Sequence, residues 1–338
     1  MSTTSTPPAT VFVTGGSGFV GGRLVTALLA AGRPVRALAR SDAAAAAVAA
    51  LGATPVHGSL DDVDSWAPTA LADAAAVVHV AALVDFWGPR AAFRRQITDA
   101  TVALHRAAMA VGVDRFVYVS AAAVVHDGSS GLHRAGPPTR RQNSNYGWAK
   151  AAAERALVAA PPSSMTTVVL RPPLIWGAGM PSLAQFAAAV QQPSFRWVDH
   201  GRSTSDIAHV DNVVAAIQLA LDRGRHGSAY FITDDEPRQF RELVSDLVTS
   251  VGVEVPTRSV SRSVARVSAR LMDRPARILR RREQPPLTRW LVDIAGSSHR
   301  YDLEPARREL GYRPVTNYAQ GMAEMRRSRL AAEEEERT

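Results

Sequence analysis

Tyr146 and Lys150 are the two side chains whose types and spacing best suit acid–base chemistry. They are four residues apart, so on a helix the phenol and the ammonium group lie on one face. A free tyrosine has a pKa of about 10, and a neighbouring cation lowers that pKa by favouring the phenolate. Lys150 is also the only lysine in the chain. The spacing predicts that Tyr146 transfers a proton with the help of Lys150; the alternative is an ordinary pair on a helix surface.

A glycine-rich segment follows the first apolar run, at residues 11–13. Gly15, Gly18 and Gly21 are spaced G-x-x-G-x-x-G between a predicted strand and a predicted helix. Such glycines permit a tight turn, a close approach of the backbone to a pyrophosphate, and close helix–strand packing. The N-terminus of the helix also offers free N–H groups to phosphates. The segment predicts a dinucleotide site that includes Gly15, Ser17, Gly18, Phe19 and Val20.

Arg40 ends the second predicted strand, where the residue type distinguishes two dinucleotides. An acidic residue at this point binds the ribose 2′-hydroxyl of NAD, whereas an arginine accommodates the 2′-phosphate of NADP. Arg36 lies on the same strand face by alternation, and Asp42 offers a carboxylate close by. We therefore expect NADP(H) to be preferred, with NAD(H) as the alternative.

Short apolar runs alternate with helical stretches, which predicts an α/β fold with a Rossmann-type, doubly wound parallel sheet and a smaller C-terminal substrate lobe. The predicted strands lie at 11–13, 35–40, 55–57, 76–80, 115–120, 167–170 and 229–233, with helices at 97–111 and 147–159. We divide the chain into a disordered tail at 1–9, a dinucleotide-binding domain at 10–175 and 207–235, a substrate lobe at 176–206 and 236–315, and a charged, fraying tail at 316–338.

Composition limits the classes of function. The chain has 338 residues, of which 46% are hydrophobic, so it can form a sizeable core. It has no cysteine, which excludes disulfides and thiolate metal sites, and we expect no metal centre. No apolar run is long enough to span a membrane and no signal peptide is evident, so we expect a cytoplasmic protein. The net charge of +8 comes with no nucleic-acid-binding motif, so we expect no nucleic acid partner.

Together these motifs resemble the extended short-chain dehydrogenase/reductase superfamily, and within it the 3β-hydroxysteroid dehydrogenase-like and dihydroflavonol reductase-like branches. The resemblance runs from about residue 9 to 314 and includes motifs at 78–82, 170–177, 207–212 and 227–234. It implies that Tyr146 is the general acid/base, Lys150 its ribose-binding partner and Ser120 the hydroxyl that orients the carbonyl. It also implies a homodimer, and contacts to the dinucleotide from Arg40, Ser59, Leu60, Ala81, Ala82, Tyr146, Lys150, Pro172 and Ile175.

Three positions depart from the pattern of the superfamily. Ser120 is followed by Ala121 where two adjacent hydroxyl residues are common, and by one alignment the hydroxyl position falls on Ala121. Ser59 replaces an expected aspartate after the third strand, and Ile97 replaces an expected asparagine after the fourth. These departures affect binding details and leave the predicted fold unchanged.

The residues expected at the substrate are mostly apolar or aromatic, which suits a hydrophobic ketone or aldehyde and its alcohol. Packing of the second lobe is the alternative role for these side chains. A nucleotide-sugar epimerase or dehydratase is disfavoured because Leu174 stands where those enzymes carry an asparagine, and an NAD(P)-sensing protein without catalysis is a further alternative. The predicted pocket comprises Asp85, Phe86, Trp87, Trp176, Met180 and Trp197.

A basic amphipathic helix is predicted over residues 257–283. Arginines recur at every fourth position from Arg258 to Arg274, and Val260, Val264, Val267 and Leu271 share another face. Such a helix can make weak peripheral contact with an anionic membrane. A lid helix whose apolar face packs into the core, with a solvated arginine face, is the alternative that the pattern alone favours.

Overall fold

The computed structural model describes residues 9–82, 87–161, 164–278, 285 and 287–335. The first half of the chain alternates strands and helices, as predicted. A π-helical turn at Arg94–Asp99 joins the fourth and fifth helices. The elements are β1 (Thr10–Thr14), α1 (Phe19–Ala30), β2 (Val35–Ala39), α2 (Asp42–Ala50), β3 (Thr54–His57), α3 (Ala67–Ala70), β4 (Ala74–His79), α4 (Arg90–Phe93), α5 (Ala100–Ala110) and β5 (Arg115–Val119).

The middle of the chain passes between the main sheet and the second lobe. Its elements are β6 (Gly131–His133), α6 (Asn145–Val158), β7 (Thr166–Arg171), β8 (Leu174–Trp176), α7 (Leu183–Gln191), β9 (Trp197–Val198), β10 (Thr204–Ser205), β11 (Ile207–His209), α8 (Val210–Asp222) and β12 (Ala229–Phe231). The remainder comprises β13 (Arg238–Gln239), α9 (Phe240–Thr249), β14 (Ser259–Val260), α10 (Arg262–Ile278), α11 (Arg289–Gly296), β15 (His299–Tyr301), α12 (Glu304–Leu310) and α13 (Tyr318–Glu335).

Seven parallel strands form the central sheet in the order β3-β2-β1-β4-β5-β7-β12. Helices cover both faces, so strand residues on either side are buried: Val117 packs in one core cluster and Phe116 in the other. This two-sided burial explains why the strands are nearly continuous apolar runs in the sequence. The sheet confirms the predicted doubly wound parallel fold, and β12 returns to it as expected.

The second lobe is built from small sheets and helices. Strands β13, β10, β15 and β6 form one sheet, and the pairs β8–β11 and β9–β14 form two more. Among these strands, β6 pairs in parallel with β15. None of the described helices combines the length and the apolar character that a bilayer crossing requires.

The C-terminal segment differs from the prediction. Instead of fraying, residues 318–335 form α13, and its apolar residues Tyr318, Met322 and Met325 are buried beside Trp176 and Leu247. Because the segment is rich in charged residues, its apolar face was not recognised in the sequence. The described part of the tail therefore forms a helix that completes the core of the lobe.

Candidate active site

The glycine-rich loop forms a narrow turn between β1 and α1. Gly15 has a φ of +75°, which favours glycine, and the Gly18 N–H donates to the Gly15 carbonyl at 3.0 Å. A Cβ at Gly21 would lie 1.9 Å from the Gly15 oxygen, so a side chain there is excluded. Ser17 and Gly18 are exposed at the mouth of the loop, while Phe19 and Val20 open the helix. The loop therefore presents bare backbone at a helix N-terminus, which fits a pyrophosphate.

Arg40 is exposed just after β2, beside the start of α2. Asp42, the first residue of α2, lies 3.9 Å from His57 through its Oδ1 and the imidazole Nδ1. Arg36 does not accompany Arg40: its guanidinium donates to the Ala70 carbonyl at 2.9 Å and pairs with Asp73. Alternation placed the two arginines on one face, but Arg36 is held near the opposite end of the sheet. Only Arg40 of the two is available to a 2′-phosphate.

Tyr146 and Lys150 lie on the first turns of α6. Ser144 caps this helix by accepting the Gly147 N–H at 3.0 Å, which fixes where the helix begins. The Tyr146 side chain is 9% exposed and Lys150 is 2% exposed. The Lys150 Nζ donates to the Val119 carbonyl at 2.8 Å and lies 6.0 Å from the centre of the Tyr146 ring. The helix thus brings both groups to the carboxyl end of β5.

Burial shifts the two groups in opposite directions. It raises the pKa of Tyr146 above its usual value of 10, because a buried phenolate loses its solvation. Burial lowers the pKa of Lys150 to about 7, although the nearby Glu154 carboxylate partly offsets this. The direction for Tyr146 is opposite to the one expected from the sequence. The phenol is therefore an acid held in its protonated form at neutral pH.

Ser120 and Ala121 follow β5 at the same edge of the sheet. The Ser120 side chain is buried, and its Oγ has no hydrogen-bond partner within the described part of the chain. Ala121 packs in a cluster with Tyr146, Phe93 and Ile97. Thus Ala121 belongs to the apolar cluster around the tyrosine, while the serine has an unpaired hydroxyl among the described residues. Ile97, the apolar residue at an expected asparagine position, belongs to the same cluster and sits in the π-helical turn.

A buried hydrogen-bond chain at this edge was missed in the sequence. Thr14 Oγ1 accepts the Ala81 N–H at 3.2 Å and lies 2.7 Å from His79 Nδ1. His79 Nε2 lies 3.0 Å from Thr101 Oγ1, and burial lowers the pKa of His79 to about 3, so the imidazole is neutral. Because Thr14 and His79 end adjacent strands, the chain holds the Ala81 backbone against the glycine loop. The sequence did contain one signal for this hydrogen-bond chain, namely a histidine, His79, at the end of an apolar strand.

A second missed feature is a buried ion pair under α6. Arg171 at the end of β7 binds both carboxylate oxygens of Glu154, with Nε at 3.0 and 3.2 Å, and its Nη1 donates to the Gly136 carbonyl at 2.8 Å. Both side chains are at most 2% exposed. Glu154 is one turn beyond Lys150, so the pair fixes the helix and places a carboxylate near the buried ammonium.

The other predicted dinucleotide residues lie along the same edge. Ser59 Oγ accepts the Asp61 N–H at 3.1 Å, and its carbonyl accepts Trp66 Nε1 at 2.9 Å. The buried Pro172 accepts the Ala122 N–H at 2.9 Å, which ties the end of β7 to the end of β5. Three more are half-buried: Leu60, Ala82 and Ile175.

The predicted pocket residues mostly pack the core. Trp176 and Met180 are buried in one cluster of the lobe and Trp197 in another. The indole N–H groups of Trp176 and Trp197 each donate at 2.7 Å, to Asp234 and to the Pro256 carbonyl. These three side chains therefore pack the lobe, which is the alternative role that the sequence left open for them. Trp87 is buried, and the predicted residues Asp85 and Phe86 lie outside the described residues.

A cavity of about 480 Å³ lies beside the N-terminus of α6, and Asn145 and Trp148 form part of its wall. Arg90 stacks 3.7 Å above the centre of the Trp148 ring. The cavity wall is basic rather than aromatic. Its charged residues are Arg90, Arg140, Arg141, Arg289, Asp273 and Asp293.

Comparisons with known proteins give a matching family model, relatives that align over nearly their full length, and solved structures with the same fold. A family model described as the 3-beta hydroxysteroid dehydrogenase/isomerase family matches residues 12–262. A ketoreductase of Stigmatella aurantiaca, named for 4-hydroxy-2-methyl-3-oxo-4-farnesyl-3,4-dihydroquinoline-1-oxide, is 36% identical over 94% of this chain and 96% of its own. A 2-alkyl-3-oxoalkanoate reductase of Stenotrophomonas maltophilia is 33% identical over 95% and 99%. A solved dTDP-glucose 4,6-dehydratase of Streptomyces venezuelae, with NAD bound, shares the fold with a TM-score of 0.73 at 24% identity, over 94% and 96%.

Proposed function

The chain belongs to the 3-beta hydroxysteroid dehydrogenase/isomerase family, and from this premise we propose that it is an oxidoreductase that interconverts a hydrophobic ketone or aldehyde and its alcohol. The single observation that carries the proposal is the convergence at the end of β5. There the buried Tyr146 phenol, the Lys150 ammonium and the unpaired Ser120 hydroxyl lie at the sheet edge that also bears the glycine loop. Ligands of doubly wound sheets bind at this edge.

The residues that would hold a nicotinamide dinucleotide fit that group. Gly15, Gly16 and Gly18 place no side chain between the loop backbone and a pyrophosphate, and the backbone of Ala81 is held beside the loop. When bound, the nicotinamide supplies or accepts the hydride. Arg40, exposed after β2, supports a preference for NADP(H), since a guanidinium pairs with a 2′-phosphate.

Ser120, Tyr146 and Lys150 then have separate roles in the reaction at the substrate carbonyl. In the reductive direction the Ser120 hydroxyl donates a hydrogen bond to the carbonyl oxygen, which polarises the carbonyl carbon for hydride addition. Tyr146 donates its phenolic proton to the developing alkoxide and is reprotonated from solvent. The Lys150 ammonium stabilises the phenolate that remains, and Glu154 helps to keep that lysine charged. The products are the alcohol and the oxidised coenzyme.

The basic cavity beside α6 bears on the form of the substrate. Four arginines and two aspartates line it, so its wall favours an anionic group. One relative is named for a 3-oxoalkanoate, which carries a carboxylate, and another for a farnesylated ketone, which is lipophilic. We therefore propose two substrate forms, a neutral lipophilic ketone and a 3-oxo acid with an alkyl chain.

An absorbance assay tests the function. NADPH and NADH oxidation is followed with long-chain 3-oxo acids, with their methyl esters and with neutral polycyclic ketones, and the alcohol products are identified by mass spectrometry. We expect alcohol formation with NADPH, and a preference for the free acid over its ester if the arginines bind carboxylate. If coenzyme binds and no carbonyl compound of the panel is reduced, the chain is a nucleotide-binding protein without this activity.

Two other proposals follow from the same premise. A nucleotide-sugar epimerase or dehydratase is the second candidate, but Leu174 packs its side chain against the core of the lobe where those enzymes carry an asparagine. The likeness to a solved dehydratase supports the fold alone.

A homodimer is the expected assembly, and analytical ultracentrifugation of the full chain tests it.

A further inference from the structure

The outward face of α10 carries apolar side chains that nothing among the described residues covers. Val264, Val267 and Leu271 are 55, 54 and 71% exposed and fall at positions i, i+3 and i+7, so they share one helix face, here called the outer stripe. Among the described residues ten large hydrophobic side chains are exposed, and four of these, including Met272, fall between 264 and 272. Clustered apolar exposure of this kind marks an interaction surface, whereas single exposed residues do not.

The opposite face of α10 packs against the rest of the lobe. Ala265 and Ala269 are buried against Val198 and Val292, so the helix meets the lobe through small side chains. The sequence favoured a lid helix that packs its valines inward, and this is wrong for Val264, Val267 and Leu271. Alanines permit a close approach to α11, which leaves the larger apolar residues on the outside. The outer stripe therefore contributes little to the core of the lobe.

Basic side chains border the outer stripe. Arg266 and Arg270 are exposed along one edge of α10, and Arg266 lies 3.7 Å from Asp293. Arg262, one turn earlier, instead donates to Ser297 and is half-buried. A peptide helix would need a groove between elements, whereas the outer stripe is one face of a single helix with a basic edge, on a chain of net charge +8. It matches the interface of a bilayer, where apolar side chains meet acyl chains and arginines meet anionic headgroups.

We propose that α10 rests on an anionic membrane surface, with the outer stripe inserted at the level of the upper acyl chains and Arg266 and Arg270 at the headgroups. Asp273 of the same helix lines the basic cavity beside α6. Asp273 is 5% exposed and lies two residues beyond Leu271, so the cavity is on the lobe side of α10, across the helix from the outer stripe. The contact does not depend on the proposed reaction, because it uses residues outside the site at β5.

Co-sedimentation of the full chain with vesicles tests the proposal. The vesicles contain equal amounts of phosphatidylglycerol and phosphatidylcholine, or phosphatidylcholine alone, at roughly 50 mM and roughly 500 mM salt, since screening shortens the reach of surface charge. We expect binding to the mixed vesicles at low salt and weak binding in the other three conditions. Replacing Arg266 and Arg270 by glutamine weakens binding by roughly fivefold for each arginine.

The decisive variant replaces Val264, Val267 and Leu271 by serine. We expect at least roughly tenfold weaker binding, since the inserted apolar area is lost. A matched control replaces the exposed Leu132 and Val315 by serine, and we expect it to bind like the wild type. Circular dichroism checks that both variants are folded. Wild-type binding by the stripe variant, absence of sedimentation at low salt, or a stripe-dependent dimer that excludes lipid would each overturn the proposal.

Discussion

Burial sets the chemical state of both groups that the proposed reaction uses. The pKa of Tyr146 lies above its usual value because its phenolate is desolvated, and the pKa of Lys150 falls to about 7 for the same reason. The sequence showed that a phenol and an ammonium are neighbours, but it gave no measure of desolvation. The sign and the size of a pKa shift depend on what surrounds a group, and the residues around these two come from β5, the segment that follows it and the π-helical turn.

The lowered pKa of Lys150 predicts how stability depends on pH. The pKa is about 7 in the folded chain and 10.5 in the reference state, so between these values the unfolded chain binds more protons. Stability due to this group therefore rises with pH from 7 towards 10, by at most about 1.4 kcal/mol per pH unit. Urea unfolding at pH 7, 8 and 9 measures the slope.

Lys150→Met removes this contribution, because methionine keeps the apolar bulk and has no titrating group. We expect the variant to lose the upward slope between pH 7 and 9, with the largest gain in stability over the wild type at pH 7. Equal slopes for the two proteins would show that Lys150 keeps an ordinary pKa in the folded chain.

Arg40 is expected to decide the coenzyme preference. Arg40→Glu places a carboxylate where a 2′-phosphate would bind, so the Kd for NADPH should rise at least tenfold, or about 1.4 kcal/mol, while that for NADH changes little. Arg36→Gln is the matched control, since Arg36 is held by Asp73 and should not affect either coenzyme. Fluorescence titration measures both constants. Equal weakening of NADPH and NADH by Arg40→Glu would contradict the assignment.

At the level of elements, the turn from β1 into α1 depends on one close approach. Gly21→Ala places a Cβ 1.9 Å from the Gly15 carbonyl oxygen, so the turn must open. We expect a loss of roughly 1–3 kcal/mol of stability, as for other overpacked sites, together with weaker coenzyme binding. Gly22→Ala is the control, because its Cβ would lie 3.6 Å from its nearest neighbour, in ordinary contact. Thermal unfolding with and without NADPH measures both effects.

The sheet could be predicted because its inner strands are buried on both faces and are therefore largely apolar, as at 115–119. The glycine loop and the Tyr146–Lys150 spacing were visible because local geometry determines them. The packing of the lobe could not be predicted, because Trp176 and Trp197 have the same sequence signature whether they line a cleft or fill a core. Whether α13 packs into the core and whether the outer stripe is exposed depend on tertiary contacts, which periodicity alone does not reveal.

At the level of the whole molecule, α13 connects the C-terminus to the coenzyme-binding half. Its residue Glu324 accepts a hydrogen bond at 2.5 Å from Arg23 of α1, which also pairs with Asp211 of α8 at 3.1 Å. On the apolar side, Met322 and Met325 join the lobe core. The last helix therefore links the helix that follows the glycine loop to the lobe. Partly exposed ion pairs stabilise little by themselves, so most of the stability should come from the apolar contacts.

Met322→Ala tests that link. We expect a loss of about 2–5 kcal/mol in the free energy of unfolding, since the site is buried and cannot collapse freely. Met272→Ala is the matched control, because Met272 is 45% exposed, and its loss should stay within about 0.5 kcal/mol. Denaturant unfolding of both variants measures the difference. If both lose the same amount, α13 does not complete the core.

Proton transfer by Tyr146 is the central claim, and Tyr146→Phe tests it most directly. The variant keeps the ring that packs with Ala121 and removes only the hydroxyl. With the best substrate of the panel, we predict that kcat falls about 10²–10⁴-fold while the Kd for NADPH is unchanged, whereas Tyr230→Phe, two strands away on β12, keeps the wild-type kcat. Carbonyl reduction by Tyr146→Phe at the wild-type rate would contradict the account.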